Sequence, residues 1–533
     1  MQSFGRDYCA PLGSRFLPFL LQRATVSETS LLSRPNASCQ MVLLPGSQYM
    51  VASVSEMNGT NWSLIVFVMD GRYNVVPLAK MSTESKAYNL VAKYMTVDGV
   101  AGITIAYNRR AWRHRGDGLK GLDINDYSGE YKIDPAYPVK YECHAVHVPL
   151  AELDTICDPR FVPGSQEFIE YAASLAAPFH RLCLIRSTRE LGAITLDVIR
   201  GKPHLTVVRN PCTLMFKPLD GGPASTLTMN RFGEFQRYDH RILAFRHLPA
   251  QNQTLVVRFI DVPETRTRHS VASLEFYAIP HNLTDHPIEE TAHPTDFCFL
   301  YEDKVERAFI TDYGQPNWFN EDPESDTPAA LHARYNKDHE PPPIHIYFRA
   351  VEPDEGLLRV TFYPKRMVDW IPPSPASSTS SSPVKGAQMS SGFVNVYRYT
   401  IDHASPARFV MAMGDTSYRV LPGVQNSLVY SVPLDDRSEC PDVMEVFRYY
   451  DKEMYAKEPE EFIEGQPERR RPLKKLDMRM FQKLGKGCRA FAWDDYIGRL
   501  VWTVEGTSQV YVVDYSKRPK EGEWKYCHLY MLS

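Results

Sequence analysis

Short runs of strand-forming residues, separated by turn residues, repeat along almost the whole chain. Most runs are five to eight residues long and rich in Val, Ile, Tyr, Phe and Thr, which is the pattern of buried or half-buried strands. Only Ser165–Ala177 favours an amphipathic helix, because its apolar residues can share one helical face. The sequence therefore predicts an all-β protein.

The clearest unit lies near the end of the chain. Three strand-like runs, Cys488–Trp493, Arg499–Val504 and Gln509–Asp514, are joined by two tight turns rich in Asp, Gly or Ser. Such an antiparallel meander is typical of the inner part of a propeller blade. The run Leu64–Asp70, near the start of the chain, ends in Asp in the same way as the last strand.

Four polar or low-complexity segments interrupt the strands, and we expect them to be loop insertions. They are residues 109–137, 312–342, 371–392 and 451–487. At about 45 residues per four-stranded blade, the rest of the chain is long enough for six to eight blades. We therefore predict a single irregular β-propeller with long loop insertions over residues 39–515. It would lie between an N-terminal extension (1–38) and a C-terminal tail (516–533).

Charge and composition exclude some classes of protein. Lys and Arg number 60 against 64 Asp and Glu, a net charge of -4, so we expect no nucleic acid bound by bulk positive charge. No apolar run approaches the roughly 20 residues of a membrane span. Ten cysteines without a CxxC pair favour a reduced protein in the cytoplasm and/or nucleus. The alternative is a secreted glycoprotein, since five N-x-S/T triplets begin at Asn36, Asn58, Asn61, Asn252 and Asn282.

The last meander carries a family resemblance. The segment Gly487–Arg499, GCRAFAWDDYIGR, followed by the strand that ends at Asp514, resembles the last blade of fungal F-box-associated proteins with WD-repeat-like propellers. Met41–Ser53 and Leu64–Asp70 resemble the first blade of that group. The resemblance implies a propeller that receives a substrate or partner protein. Family members usually carry a helical F-box before it, but residues 1–38 are too short and too rich in Pro and Ser for one, so a ligase adaptor is expected as a partner only if an F-box lies upstream.

The sequence motifs predict no catalytic residue, metal site or cofactor. Gly116–Gly121 matches GxGxxG but lacks a following helix pattern. The oxygen-rich loop 123–130 misses the spacing of a calcium-binding hand. Cys143, His144, His147 and Cys157 suggest zinc, but two histidines three apart on a strand point to opposite faces. We interpret these histidines as structural residues of a sheet.

Two loop motifs are candidates for regulation. Ser374 and Ser382, each followed by Pro, resemble sites of proline-directed kinases, with an inert spacer as the alternative. A basic tract resembles a nuclear-import signal, with a solvated loop as the alternative. That tract comprises Arg469, Arg470, Arg471, Lys474 and Lys475.

These observations together predict a non-enzymatic protein-interaction scaffold or substrate-receptor propeller. Its partner would be a protein of unknown identity, bound through exposed loops and a few buried anchors. The alternative is a propeller enzyme or a carbohydrate-binding protein with carboxylates at the central channel.

Overall fold

In the computed structural model the described residues form seven antiparallel sheets, one of them extended by a parallel strand, and a two-stranded ribbon. The structure describes residues 40–46, 48–55, 62–69, 75–114, 124–127, 137–158, 160–161, 166–231, 235–262, 269–280, 283, 287–300, 304–311, 343–352, 356–371, 392–401, 404–410, 416–423, 426–433, 445–450, 473–475, 488–494, 499–504 and 510–514.

The sheets follow one another along the chain, and we number them blades 1 to 7. Blade 1 contains β1 (Gln40–Leu43), β2 (Tyr49–Ser55), β3 (Trp62–Met69) and β4 (Val75–Ser82). Blade 2 contains β5 (Tyr88–Val97), β6 (Val100–Trp112), β7 (Val139–Pro149) and β8 (His180–Ser187). Blade 3 contains β9 (Leu191–Ile199), β10 (Lys202–Arg209), β11 (Thr213–Pro218) and β12 (Ser225–Met229). Blade 4 contains β13 (Asp239–Leu248), β14 (Gln253–Val262), β15 (His269–Ala278) and β17 (Asp296–Leu300), and the intervening β16 (Glu289–Ala292) pairs in parallel with β12 of blade 3.

The remaining blades include one long excursion. Blade 5 contains β18 (Lys304–Ile310), β19 (Ile344–Glu352), β20 (Gly356–Phe362) and β23 (Ala404–Val410). Between its last two strands, β21 (Lys365–Ile371) and β22 (Gly392–Arg398) pair only with each other among the described strands. Blade 6 contains β24 (Thr416–Leu421), β25 (Asn426–Pro433), β26 (Glu445–Tyr450) and β27 (Leu473–Lys475). Blade 7 contains β28 (Cys488–Asp494), β29 (Arg499–Val504) and β30 (Val510–Asp514).

The blades form a closed ring. The first strands contact one another in the pairs β1–β5, β5–β9, β9–β13, β13–β18, β24–β28 and β28–β1, and blade 5 reaches blade 6 through β19, β20 and β24. These first strands therefore surround the central channel. Blade 7 packs back on blade 1, where Met41 and Met50 share an apolar core with Ala492 and Val501. The arrangement confirms the all-β propeller, and its seven sheets lie within the six to eight blades that were predicted.

Apolar residues that alternate along the strands form the cores between neighbouring blades. Leu64 and Val66 of blade 1, for example, pack with Ile103 and Ile105 of blade 2, because alternate side chains of a strand point to the same face of its sheet. Side chains add polar ties between blades: the Gln40 Oε1 atom of blade 1 accepts a hydrogen bond from the backbone N–H of Leu90 in blade 2, at 3.0 Å. Packing between faces therefore fixes the order of the ring.

Two short helices connect β7 to β8, and they contribute to the core of blades 1 and 2. They are α1 (Leu150–Ile156) and α2 (Gln166–Ser174); α2 lies inside the predicted helix 165–177. Leu153 of α1 and Phe168 of α2 are buried in that core. Neither these nor the other described helices have the length and apolar character needed to cross a membrane.

Two of the expected loop insertions contain regular structure. The segment 109–137 begins as strand rather than loop, since β6 continues to Trp112 and pairs with β7 as far as Val139. Ile124–Tyr127 in the same segment forms a short 3-10 turn. Within 451–487, the strand β27 pairs with β26. At both sites strand pairing continues into a segment whose polar composition had predicted a loop.

Candidate interaction surfaces

Asp197 and Asp494 of the channel strands have partners or lie buried, whereas Asp239 at the start of β13 is exposed. Asp197 on β9 receives the Lys93 ammonium of β5 at 3.2 Å and the Thr195 hydroxyl at 2.8 Å. Asp494 on β28 is buried, and burial together with its negative charge raises the pKa of Tyr94 on β5 above the usual range. Among the described residues, no group of three or more His, Cys, Asp or Glu side chains is placed to hold a metal ion.

The residues considered for zinc are separated by the sheet. His144 stacks on Tyr107 of β6 with 5.1 Å between ring centroids, and Tyr107 belongs to the core with blade 1. His147 instead lies 3.0 Å from the Thr104 hydroxyl. Cys143 packs in the core with blade 3, and burial raises the pKa of Cys157 to about 12. The two histidines thus point to opposite faces, as the strand spacing predicted.

The predicted regulatory residues fall mostly outside the described part. Ser374 and Ser382 lie outside the described residues. The described residues nearest to them on either side, Ile371 and Gly392, pair with each other. Ser374 and Ser382 therefore belong to the segment that connects β21 to β22. Of the basic tract, Arg469, Arg470 and Arg471 are outside the described residues, whereas Lys474 and Lys475 lie on β27, opposite Arg448 and Phe447. Both regulatory roles remain predictions.

The ribbon of β21 and β22, which we call the arm, exposes apolar and basic side chains together. Lys365, Arg366, Met367 and Val368 are all exposed, with Val368 at 63% and Met367 at 36%. Since successive side chains of a strand point to opposite faces, four exposed residues in a row mean that both faces of β21 are in solvent here. The arm extends for seven residues per strand, a length of about 23 Å.

Positive charge gathers where the arm leaves the blade. Lys365 lies directly opposite Arg398 in the register, and Arg366 lies opposite Tyr397. Both Lys365 and Arg398 are exposed. Lys365, Arg366 and Arg398 thus place three basic residues near the base of the arm.

A second charged cluster lies in blade 2, around a buried carboxylate. The Glu142 carboxylate of β7 receives Arg109 Nε at 2.8 Å and Nη2 at 2.7 Å, with Lys140 at 3.3 Å and Arg186 at 3.5 Å. Burial opposes ionisation, but the hydrogen bonds and charge of Arg109 outweigh it and lower the pKa of Glu142 to about 2. Burial and the Arg109 charge lower the pKa of neighbouring His144 to about 4. One acid thus serves several bases.

Neither the arm nor this cluster was identified from the sequence. The residues of β21 do not alternate in polarity, since Lys365 and Arg366 precede Met367 and Val368. In addition, β22 follows only after a long Ser/Pro tract, and hairpins are normally recognised from short loops. The cluster of Glu142 depends on cross-strand register, since Arg109 lies opposite Glu142 and Glu142 lies opposite Arg186. The long, polar connection between β6 and β7 does not show where these strands end, so the sequence did not reveal their register.

No protein-family profile matches the chain, and no curated protein matches it in sequence. Among solved structures, the chain is similar to the WD40 domain of SCAP from fission yeast (8% identity, TM-score 0.38), covering 90% of this chain and 96% of that one. It is similar to the β-propeller domain of the Trilobed protease from Pyrococcus furiosus (8% identity, TM-score 0.35), covering 93% and 98%. It is also similar to prolyl oligopeptidase B from Galerina marginata (8% identity, TM-score 0.37), covering 96% of this chain and 54% of that one.

Proposed function

We propose that this chain is a non-enzymatic protein-interaction propeller in which the arm binds a partner protein. The observation that carries the proposal is the exposure of Met367 and Val368 on opposite faces of β21. Exposed apolar surface on a projecting element is a common mark of an interaction site. A partner that covers one face of the arm buries Met367 or Val368, and one that surrounds the arm buries both.

The arm gains stability from being covered. A two-stranded hairpin is marginal in water, because it has no hydrophobic face packed on another layer. Fully burying a Val or Met side chain contributes about 1.5–3 kcal/mol. Since Val368 is more exposed than any other large apolar side chain of the described residues, it is the best candidate for an anchor residue.

The charges of the arm indicate the chemistry of its partner. Lys365, Arg366 and Arg398 are exposed at its base, beside Met367 and Val368. An acidic surface with an adjoining apolar patch would complement the exposed charges of Lys365 and Arg366 and cover the two apolar side chains. We infer a partner of that kind.

Two carboxylates of the channel strands are poorly placed for catalysis, which favours an interaction protein over an enzyme that uses them. General acid–base chemistry needs a carboxyl group that can reach a substrate and change its protonation state. Asp197 is held by Lys93 and Thr195, and Asp494 is buried. The Lys93–Asp197 pair ties blade 2 to blade 3.

The resemblance to fungal F-box-associated propellers supports one particular kind of interaction, that of a substrate receptor in a ubiquitin ligase. In that proposal the propeller holds the substrate, and the ligase adaptor binds through an F-box. Capture from the native cell with this chain, and with a longer form if the gene encodes one, tests the link. Recovery of adaptor by the longer form alone would support it, and recovery by neither would contradict it.

Quantitative capture of partners by tagged full-length chain tests the role of the arm. The arm variant is M367S/V368S, and the matched control is Val100→Ser, which changes an exposed valine (44%) on β6. We expect a partner that the wild type and the control recover equally and that the arm variant loses at least tenfold. An unchanged set of partners with the arm variant would contradict the proposal.

A further inference from the structure

The outermost strand of blade 2 is a long, open sheet edge. β8 has eight residues and no proline, and among the described strands only β7 pairs with it. The other outer strands of the described blades are interrupted or shorter. β4 contains Pro77 and β23 contains Pro406, β16 and β27 have four and three residues, and β17 and β30 have five each. Proteins usually blunt exposed edges in these ways, so β8 keeps unusual capacity to pair with another strand.

Three exposed side chains of β8 share one face. Arg181 lies opposite Val146, Leu184 opposite His144, and Arg186 opposite Glu142. Val146, and Tyr107 on which His144 stacks, belong to the core shared with blade 1. The three side chains of β8 therefore face blade 1. Leu184 is 39% exposed, and the Arg186 side chain is 70% exposed. We call Arg181, Leu184 and Arg186 the β8 strip.

The strip carries positive charge that the protein only partly neutralises. Arg181 forms no hydrogen bond or ion pair with another described residue. Arg186 reaches Glu142 only at 3.5 Å, and Glu142 is already held more closely by Arg109 at 2.7 Å. The strip therefore presents two arginines with one apolar side chain between them.

We propose that the β8 strip binds an extended acidic segment of a partner protein, which adds to β8 as a further strand. Acidic side chains would meet Arg181 and Arg186, and an apolar side chain would cover Leu184. The backbone groups of the β8 edge would supply the remaining hydrogen bonds, as in other cases of strand addition. The chemical class of ligand is thus an acidic–apolar–acidic peptide in which these residues alternate with others.

A second copy of this chain fits the strip less well. Two β8 strands paired antiparallel about a twofold axis would bring Arg181 of one copy near Arg186 of the other. Like charges directly opposite one another destabilise such a pair. Charge complementarity therefore selects the acidic segment as the occupant.

Fluorescence anisotropy with a defined probe tests the proposal. The probe is a fluorescein-labelled, end-capped peptide Ser-Glu-Thr-Val-Thr-Glu-Ser, and the control peptide has Lys in place of both Glu residues. We expect the full-length chain to bind the Glu peptide at least tenfold more tightly than the Lys peptide, with affinity falling as salt rises. Equal binding of the two peptides would overturn the proposal.

Variants locate the binding. R181S/R186S should weaken binding of the Glu peptide at least tenfold. R160S/K202S, which removes the same charge from exposed positions elsewhere, should leave it unchanged. Arg181→Glu should shift preference toward the Lys peptide, which a merely misfolded variant would not do. Wild-type affinity in R181S/R186S would overturn the location.

Two further measurements separate strand addition at β8 from the proposed function of the arm. A Glu peptide N-methylated at every backbone amide has no N–H left to donate to a sheet edge, and we expect it to bind at least tenfold more weakly. Equal affinity would overturn strand addition. The arm variant M367S/V368S should bind the Glu peptide like the wild type, and loss of binding in that variant would overturn the assignment to β8.

Discussion

Arg258 and Glu275 form a fully buried ion pair within blade 4, with 2.7 Å between Arg258 Nη2 and Glu275 Oε2. Both side chains are completely shielded from solvent. Arg258 also donates to the backbone oxygen of Asn230 at 3.0 Å, and the Tyr277 hydroxyl donates to Glu275 at 2.6 Å. The pair joins β14 to β15 and reaches the connection from blade 3.

Removing one partner of this pair should be strongly destabilising. Glu275→Leu leaves the Arg258 charge buried without its acid, at a cost of about 3–5 kcal/mol. Denaturant unfolding of full-length chain measures it. The double variant R258M/E275L should lose less stability than Glu275→Leu, since no charge is left unpaired. Asp158→Asn, which breaks an exposed pair with Arg160, is the control and should change nothing measurable. A single variant as stable as the wild type would contradict this account.

Acid should destabilise the protein through His345. Burial, and then the charges of Arg359 and Arg246, lower the pKa of His345 to about 3, whereas an unfolded histidine has a pKa of about 6.5. Between these values the unfolded chain binds more protons than the folded one, so stability falls as pH decreases from about 6.5. The loss from this residue is about 1.4 kcal/mol per pH unit.

The variant His345→Gln isolates this contribution. Glutamine can keep a hydrogen bond with the Thr361 hydroxyl, which lies 3.0 Å from the His345 Nδ1 atom, but it does not titrate. Melting temperatures between pH 7.5 and 5 should therefore fall less steeply in the variant than in the wild type. Parallel curves would show that His345 does not contribute to acid sensitivity.

Glu142 should also make the protein less stable in acid, but over a lower pH range than His345. Its folded pKa of about 2 lies below the unfolded value of about 4.3, so its stabilisation is complete above the unfolded pKa and is lost as pH falls toward 2. Glu142→Gln should thus lower the melting temperature at pH 7 and have a smaller effect near pH 3. A difference that is the same at both pH values would exclude an electrostatic role.

Phosphate on Ser374 or Ser382 should weaken partner capture by the arm. These residues belong to the segment that joins the ends of β21 and β22, and each phosphate would add about -2 charge there to an element that we propose to bind an acidic surface. S374E/S382E should therefore recover less partner than S374A/S382A in the same quantitative capture. Stronger capture by the Glu variant would contradict the inferred partner chemistry.

The sequence alone supported the propeller because each blade is built from local hairpins. The predicted closing run Arg499–Val504 coincides with β29, since turn-favouring residues on both sides mark its ends in the sequence. Pairing across long separations was not predictable: Glu289–Ala292 joins blade 3 although it is polar, short and separated from β12 by most of blade 4. The arm was missed for a similar reason, because Ile371 and Gly392 pair across the Ser/Pro tract.

Hydrogen–deuterium exchange of the chain, alone and bound to the partner captured through the arm, tests the central proposal most directly. Amides of 365–371 and 392–398 should become protected on binding, with the channel strands unchanged. Val100→Ser should give the same protection as the wild type. Protection confined to the channel strands, with the arm exchanging as in the free chain, would contradict it.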